Sequence, residues 1–227
     1  MTKCRMCSGN LYTFLSLGKT PLANSFLRKE ELQREEPTFP LDICFCTSCG
    51  FVQLDYTVPA DKMFRNYIYF SSTSDLMQKH FAEFADKVTR MLKKGAFVVE
   101  IASNDGILLK NFKQKDIKVL GIEPATNIAK YANDTGIRTI NDYWSTRLAE
   151  SVSKDMGKAD AILANNVIAH IHDLHDFARG ISKLLKDDGI VVIQVQYLID
   201  FIERLEYDTI YHEHVSYISL HSVDRLF

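Results

Sequence analysis

The hydrophobic and polar positions follow a regular alternation from residue 96 onward. Short apolar runs are separated there by stretches in which apolar residues recur at helical spacing. The apolar runs are AFVVEIA (96–102), IKVLGIE (117–123), ADAILAN (159–165) and GIVVIQV (189–195), and the helical stretches span 107–113, 126–134, 145–153 and 174–186. This alternation predicts βαβ units and a parallel sheet covered on both faces. A short extra strand is expected near 137–140.

A further helix is expected just before the first of these runs. Ser74 can cap its N-terminus, because a serine hydroxyl accepts a hydrogen bond from a backbone N–H of the first turn. The apolar residues that recur at helical spacing after it are Met77, Phe81, Phe84, Val88 and Met91. They predict one apolar face, which is either a core face or a docking face.

Residues 1–60 have no long helical periodicity. They contain four of the five prolines and the charged run KEELQREE. We therefore expect a small, loop-rich domain, followed by an aromatic connector over residues 61–73. The predicted division of the chain is a zinc-binding domain (1–60), a cofactor-binding domain (61–200) and a final segment (201–227).

The five cysteines all lie within the first 50 residues. Cys4 with Cys7 and Cys46 with Cys49 form two C-x-x-C knuckles, and two such knuckles complete a tetrahedral Zn²⁺ site. Four thiolates leave no open position, so the metal would hold structure and do no chemistry. Cys44 is left over and is expected to pack. A redox-active pair and a metal-free site are the alternatives.

Composition narrows the class of protein. The chain has 227 residues, of which 46% are hydrophobic and 25% charged, with a net charge of −2. This balance does not predict a basic surface for nucleic acid. The sequence also lacks a run of about 18 apolar residues, so no membrane span is predicted. The N-terminus lacks the apolar segment of a secretory signal, so we expect a cytoplasmic protein with reduced cysteines.

The loop after the first predicted strand carries acids where nucleotide-binding loops carry glycines. Rossmann-like sheets bind nucleotides at the carboxyl ends of their strands, but the fingerprint G-x-G-x-x-G is absent here. Glu100 and Asp105 would repel a phosphate and suit a cationic ligand such as S-adenosylmethionine. Glu123, which ends the second strand, can accept hydrogen bonds from ribose hydroxyls. An NAD-dependent oxidoreductase is therefore disfavoured.

Five segments, taken together with the two cysteine knuckles, carry a resemblance to a known family. They are TPLANSFL (20–27), VVEIASNDGILL (98–109), GIEPATNIAKYA (121–132), ADAILANNVIAHIHDLHDF (159–177) and YDTIYHEHVSYISL (207–220). In combination they resemble the sugar C-methyltransferases, a class I methyltransferase family with a zinc-binding N-terminal domain. The resemblance covers essentially the whole chain.

The resemblance implies a fold and two cofactors. The fold is α/β, with the Rossmann-like parallel sheet of class I methyltransferases and a small N-terminal Cys4 zinc domain. The cofactors are S-adenosylmethionine and structural Zn²⁺. The residues implied at the cofactor are Glu100, Ala102, Asn104, Asp105, Gly106, Glu123, Pro124 and Asn165. Residues 67–72 of the aromatic connector resemble a segment that closes over the cofactor. Simple packing is the alternative.

The resemblance also implies a substrate and a catalytic group. Such enzymes methylate a carbon next to the ketone of a nucleotide-linked 4-keto-deoxysugar, here expected at C3. The carbon must first lose a proton, and a histidine suits the base because its pKa lies near operating pH. His214 is expected to be this base, with Tyr211 and Glu213 beside it and His170 facing the same site.

Other roles for the histidines stay open. Six of the seven lie between residues 170 and 221, in part as two H-x-H pairs. A second metal site that includes Glu213 is one alternative. Surface or core positions are the other, and they suit His80, His175 and His221 best.

Two features depart from the family pattern. Ala102 stands where glycine is usual, so its methyl group could crowd the methionine part of the cofactor. Family members generally continue into a further C-terminal α/β domain, so we expect a truncated chain. The sequence does not predict the oligomeric state. An O- or N-methyltransferase of the same fold, and a non-catalytic fragment that binds S-adenosylmethionine or zinc, are therefore the rival hypotheses.

Overall fold

A computed structural model describes residues 2–227. Its strands are β1 (Leu11–Thr20), β2 (Phe39–Cys46), β3 (Val52–Leu54), β4 (Phe97–Ile101), β5 (Lys118–Ile122), β6 (Thr139–Ile140), β7 (Ala159–Asn165), β8 (Leu185–Gln194) and β9 (Ser216–Tyr217). Its α-helices are α1 (Ala60–Phe64), α2 (Asp75–Thr89), α3 (Leu109–Lys113), α4 (Thr126–Asp134), α5 (Thr146–Met156), α6 (Leu174–Leu184), α7 (Leu198–Arg204) and α8 (Leu220–Leu226).

The chain forms two compact units. The first, which we call the cysteine unit, comprises the described residues up to Met63 together with Ile168–His175 and Val195–Phe227. The second, the parallel-sheet unit, comprises Phe64–Val167 and Asp176–Gln194. The sequence boundaries at residues 60 and 200 stay predictions, whereas these units group segments that are distant in the sequence.

The parallel-sheet unit is built on five strands in the order β6-β5-β4-β7-β8. All neighbouring pairs are parallel, as the alternation of strands and helices predicts. Ile101 at the end of β4 is in register with Ile122 of β5 and Ala164 of β7. The residues that follow these three strands therefore emerge at the same edge of the sheet. The extra strand expected near 137–140 is β6.

Helix α2 begins where the sequence predicts it. The Ser74 hydroxyl accepts a hydrogen bond from the backbone N–H of Met77 (3.4 Å). Phe81 and Val88 are buried in the core of the parallel-sheet unit, so the apolar face is a core face. The inclusion of Met91 in that face was wrong: it lies beyond the end of the helix and is 63% exposed.

The N-terminal segment is more regular than the loop-rich domain expected. Its three strands form an antiparallel sheet with the distant strand β9, in the order β1-β2-β3-β9. Leu41, Ile43, Leu54, Val215 and Tyr217 belong to its buried core. The strand β1 escaped prediction because most of its residues are exposed, so that it lacks the alternation of a half-buried strand.

The helices give no candidate for a membrane-spanning segment. None of those in residues 2–227 combines the required length with sufficient apolar character.

Candidate functional site

The four cysteines of the two knuckles form one cluster in the cysteine unit. Their Sγ atoms all lie within 4.8 Å of one another. Cys4 and Cys49 are separated by 3.6 Å between Sγ atoms, and Cys7 and Cys46 by 3.5 Å. A tetrahedral Zn²⁺ with Zn–S bonds of about 2.3 Å requires S–S separations of about 3.8 Å. The cluster therefore fits a closed, structural zinc site.

The two knuckles turn in the same way. The N–H of Ser8 donates to the carbonyl of Cys4 (2.8 Å), and the N–H of Gly50 donates to the carbonyl of Cys46 (2.9 Å). Ser8 and Gly50 both have positive φ, at 60° and 74°. Each turn thus needs a residue in the left-handed region directly after the second cysteine of the knuckle, a conformation that glycine adopts without strain.

The remaining cysteine and the histidines do not extend this metal site. Cys44 is buried, with its Sγ 3.2 Å from the hydroxyl of Thr13. Across residues 2–227, no second group of three or more candidate metal ligands is present. The H-x-H pairs therefore do not form a metal cluster with Glu213 in this structure.

In the parallel-sheet unit, the loop after β4 contains three residues with positive φ. Ala102, Asn104 and Gly106 have φ values of 54°, 48° and 80°. A glycine at position 102 would adopt this conformation freely, which gives a physical reason for the usual glycine there. At Gly106 an added Cβ would lie 2.9 Å from the side chain of Ile137, so this position also needs glycine for space.

Glu123 follows β5 and is fixed by two backbone groups. One carboxylate oxygen accepts from the N–H of Asn104 and the other from the N–H of Ala125, both at 2.9 Å. Burial raises the pKa of Glu123, and these two hydrogen bonds oppose the rise. Each oxygen keeps a second lone pair, so the carboxylate can accept two hydrogen bonds from a diol.

The turn that holds Glu123 is supported by a residue that sequence reasoning missed. The side-chain amide of Asn141 donates to the carbonyls of Glu123 (2.9 Å) and Pro124 (3.0 Å). Asn141 follows the two-residue strand β6 directly. Its position after a strand of the same sheet was the signal that could have identified it.

Glu100 is a buried acid at the end of β4. It is 4% exposed, and burial raises its pKa well above the ordinary value, with Glu123 and Asp105 adding to the rise. Asn165 donates to one of its oxygens at 3.4 Å. The other oxygen has no hydrogen-bond partner among the described residues. Burial disfavours the charged form of this acid, and a cation beside it would favour that form, so the open oxygen of Glu100 suits a cationic ligand group.

Asp105 and Asn104 hold the aromatic connector against the first loop. The Asp105 carboxylate accepts from the N–H of Ser72 (2.9 Å), and the Asn104 amide oxygen accepts from the N–H of Ser71 (3.0 Å). The Asn104 amide also donates to the carbonyl of Tyr69 (3.0 Å). The connector thus lies on the loop after β4. These contacts fit a segment that closes over a ligand, and they fit simple packing equally well.

His214 lies in the cysteine unit within a short hydrogen-bonded chain. Its Nδ1 is 2.9 Å from the carbonyl of Thr209, and its Nε2 is 3.1 Å from the hydroxyl of Tyr211. A carbonyl can only accept, so Nδ1 carries the proton and donates to Thr209. The lone pair of Nε2 then accepts from the Tyr211 hydroxyl. This arrangement fixes both the tautomer and the orientation of the ring.

The surroundings set the charge states of this pair. Burial lowers the pKa of His214, although the hydrogen bond to Thr209 opposes the change. Burial and the nearby Glu213 raise the pKa of Tyr211 to about 12. At neutral pH the imidazole is therefore uncharged and the phenol keeps its proton, which are the states that a base and a hydrogen-bond donor need.

His170 and Glu213, the two other predicted catalytic residues, belong to the same cluster. The rings of His170 and His214 meet edge to face, with centroids 5.0 Å apart. Glu213 is buried and accepts a hydrogen bond from the side-chain amide of Asn24 (2.8 Å). Asn24 belongs to the segment TPLANSFL. The sequence alone did not show that this segment contributes to the site.

Three other histidines, His212, His80 and His175, have contacts away from this cluster. His212 is buried, and its Nε2 donates to the carbonyl of Phe39 (3.2 Å). His80 lies 3.0 Å from the side-chain oxygen of Gln194, in the parallel-sheet unit. His175 donates from Nε2 to the carbonyl of Met6 (2.9 Å). None of these contacts places a second base beside His214.

Comparison with protein families covers both parts of the chain. The family model of a zinc binding domain matches residues 4–64. The family model of a methyltransferase domain matches residues 76–227, which is more than half of the chain.

Curated relatives include a carbon-directed and several oxygen-directed enzymes. The chain is 36% identical over 228 residues to the C-methyltransferase NovU of Streptomyces niveus, covering 99% of this chain and 54% of NovU. It is 33% identical over 102 residues to the ubiquinone biosynthesis O-methyltransferase of Rhodopseudomonas palustris (strain HaA2), covering 44% of this chain and 39% of that protein. The chain thus spans about half the length of NovU, or less for the other relative.

Solved structures resemble the fold at low sequence identity. The YcgJ protein from Bacillus subtilis has a TM-score of 0.51 at 18% identity, over 65% of this chain and 66% of that chain. A SAM dependent methyltransferase from Archaeoglobus fulgidus has a TM-score of 0.51 at 13% identity, over 66% of each chain. At these identities the likeness concerns the fold alone.

Proposed function

Because the chain belongs to the methyltransferase family, with the class I S-adenosylmethionine-dependent fold and a zinc-binding segment, we propose that it methylates carbon. The proposed substrate is a nucleotide-linked 4-keto-deoxysugar, and the proposed position is C3. The observation that carries the proposal is the Thr209–His214–Tyr211 chain, in which Nδ1 of His214 donates to Thr209 and the Nε2 lone pair accepts from the Tyr211 hydroxyl. The relative that matches 99% of this chain is named a C-methyltransferase.

The cofactor site is proposed at the carboxyl ends of β4, β5 and β7. Glu123 would accept hydrogen bonds from the two ribose hydroxyls with the lone pairs that its backbone contacts leave open. Glu100 would face the cationic part of the cofactor with its unpartnered oxygen. Ala102, Asn104, Asp105, Gly106, Pro124 and Asn165 would shape the same site. S-adenosylmethionine, once bound, supplies an electrophilic methyl group.

His214 would act as the base. The proton at C3 is acidified by the adjacent ketone, and Nε2 would take it to leave an enolate. A neutral imidazole is required for this step, and burial favours the neutral form. The enolate carbon would then form the new C–C bond, while the electron pair of the breaking C–S bond goes to sulfur.

Tyr211 would stabilise the enolate oxygen. Its hydroxyl donates to Nε2 of His214. When the ketone oxygen of the substrate accepts this hydrogen bond instead, the Nε2 lone pair becomes free to take the C3 proton. A single hydroxyl would thus both stabilise the oxyanion and release the base.

His170 and Glu213 would support the charge changes. Glu213, held by Asn24, adds negative charge near Tyr211 and so favours a positive imidazolium after proton transfer. His170, whose ring meets that of His214, is proposed to contact the substrate. Reduced cysteines at the zinc site suit a cytoplasmic location, which is part of the proposal.

An O-methyltransferase is the second candidate, since the chain is 33% identical to such an enzyme over part of its length. The two candidates differ in the bond that must break. Carbon methylation replaces the C3 hydrogen, whereas oxygen methylation leaves it in place.

The proposal is tested with S-adenosylmethionine and a set of 4-keto-6-deoxyhexoses linked to thymidine, guanosine or cytidine diphosphate. We expect methyl transfer to one of them, and a decrease in kcat of about 10²- to 10⁴-fold in the variant His214→Asn. The asparagine amide can still donate to Thr209, so this variant removes the base and keeps the local hydrogen bond. His221→Asn, at an exposed histidine, serves as the matched control. Equal activity in His214→Asn and the wild type would exclude His214 as the base.

A further inference from the structure

Arg5 lies inside the first cysteine knuckle, and its side chain donates hydrogen bonds to residues far from the knuckle in the sequence. Nη1 donates to the carbonyls of Ile171 (3.2 Å) and His172 (3.5 Å). Nη2 donates to the carbonyl of Val215 and to the hydroxyl of Ser216, the latter at 3.1 Å. One guanidinium group therefore joins two segments that are far apart in the sequence.

These two segments are the ones that carry the paired histidines. Ile171 follows His170 directly, and Val215 follows His214 directly. The two imidazole rings have centroids 5.0 Å apart. One rigid, planar group therefore holds the carbonyl of the residue that follows each histidine, and so fixes the two backbone segments that carry the imidazoles.

The knuckle itself is attached to the same part of the cysteine unit. The backbone N–H of Arg5 donates to the side chain of Gln53 (2.8 Å), which lies opposite Ser216 in the β3–β9 pair. The carbonyl of Met6 accepts from Nε2 of His175 (2.9 Å). The backbone between Cys4 and Cys7 thus contacts Gln53, which pairs with the strand after His214, and His175, which follows the segment of His170. The cysteine cluster holds this backbone in place.

The chemistry of the contacts requires arginine. A guanidinium presents five N–H donors in a planar fork, and the two ends of the fork reach separate carbonyl groups here. Lysine keeps the positive charge but concentrates its donors on one atom, so it cannot bridge both segments in this geometry. Glutamine has a shorter side chain and fewer donors.

We propose that Arg5 is a positioning residue for the histidine pair, and that it links the zinc knuckle to the proton-transfer step. It would act through the histidines, by holding the carbonyls of Ile171 and Val215 at a fixed separation. Its kinetic consequence rests on the proposed methyl transfer, but its geometric consequence does not. The four-cysteine site would thus serve catalysis by supporting Arg5, beyond stabilising the fold.

The test compares Arg5→Gln and Arg5→Lys with Arg34→Gln, a change at an exposed arginine of the same unit. Four quantities are measured on the full chain: zinc content, the Kd of S-adenosylhomocysteine, steady-state kinetics, and the ¹⁵N resonances of the histidine rings. The ring resonances report the tautomer and the titration midpoint of each imidazole. The His214→Asn variant assigns the resonance of His214.

We expect Arg5→Gln to retain a full equivalent of zinc and its affinity for S-adenosylhomocysteine. Its kcat should fall about 10- to 100-fold, as expected for a displacement of about 1 Å in a catalytic group, with a much smaller change in KM. The Nδ1–H tautomer of His214 should become less populated and its titration midpoint should move. Arg5→Lys should show the same changes in the same direction, and Arg34→Gln should show none.

Two results would overturn the proposal. Unchanged His214 resonances and unchanged kcat in zinc-loaded Arg5→Gln would show that the guanidinium does not position the histidines. Loss of zinc together with a general loss of folded signal in both variants would show a purely structural role. If no substrate is methylated by the wild type, the ring resonances of the ligand-free protein still decide the role of Arg5, independently of the proposed reaction.

Discussion

The two units of the chain place their functional side chains by different means. In the parallel-sheet unit, Glu100, Glu123 and Asn165 lie at the ends of three neighbouring strands, so the register of the sheet alone brings them to one edge. In the cysteine unit, the cysteine cluster and the histidine cluster are assembled from three separate stretches of chain. The acids of the parallel-sheet unit therefore follow from the order of the strands, whereas the clusters of the cysteine unit depend on long-range contacts and on a metal.

The largest expected effect comes from removing a zinc ligand. Cys46→Ala should abolish zinc binding and unfold the cysteine unit, because structural zinc sites contribute about 10–16 kcal/mol of apparent binding free energy to small domains. Zinc content and thermal unfolding measure this effect. Cys44→Ala is the matched control, since Cys44 is buried in the same strand but lies outside the cluster; it should retain zinc.

Binding of S-adenosylhomocysteine to Cys46→Ala would sharpen the comparison further. Retained binding would show that the parallel-sheet unit holds its ligand without an intact metal site. Full zinc binding by Cys46→Ala would instead show that the cysteine cluster is not the metal site.

The same difference explains what the sequence could predict. The strands and helices of the parallel-sheet unit were predictable because each gives a local period, such as FVVEI in β4 or the face of α2 capped by Ser74. The antiparallel sheet was not, because β1 is mostly exposed and β9 has two residues that pair with a strand far away in the sequence.

The candidate sites follow the same rule. The cysteine spacing predicted a cluster that the structure brings together, and the acids after β4 and β5 were identified from their place in the strand pattern. Asn24 and Arg5 were missed because their partners, Glu213 and the carbonyl of Val215, are distant in the sequence. No local pattern encodes such a contact, so only the folded structure shows it.

The next effect concerns the ligand of the parallel-sheet unit. Glu123→Gln should weaken S-adenosylhomocysteine binding by about 10- to 100-fold, since a hydrogen bond to a charged group contributes about 1.5–3 kcal/mol. The glutamine would also turn its NH₂ toward the backbone N–H of Asn104 or Ala125. Isothermal titration calorimetry measures the Kd, and the exposed Glu83→Gln is the control. An unchanged Kd would place the ribose elsewhere.

A smaller effect is expected in the pH dependence of the cysteine unit's chemistry. Burial lowers the pKa of His214 below its ordinary value of 6.5. Because a base acts in its neutral form, kcat/KM should stay high at pH 6.5 and fall only as the pH decreases through the lowered pKa. A pH–rate profile tests this expectation. An acid limb with its midpoint above pH 7 would be incompatible with the buried, neutral imidazole.

The smallest effect is expected at Ala102. Its φ of 54° strains an alanine, so Ala102→Gly should leave stability unchanged or increase it by up to about 1 kcal/mol, after the entropy of glycine in the unfolded chain is included. Thermal unfolding measures the change. Ala129→Gly is the control, since Ala129 lies inside helix α4, where glycine should lose stability. Equal destabilisation by both glycines would show that the strain at position 102 is negligible.

The most direct test of the account follows the hydrogen at C3 during methylation. The chain is given S-adenosylmethionine and the accepted nucleotide-linked 4-keto-6-deoxyhexose carrying deuterium at C3, and the product is analysed by mass spectrometry and NMR. A reaction without protein corrects for spontaneous exchange. Carbon methylation through His214 predicts a product without the C3 deuterium, formed by the wild type and not by His214→Asn. A methylated product that retains the deuterium would contradict the proposal and identify oxygen as the methyl acceptor.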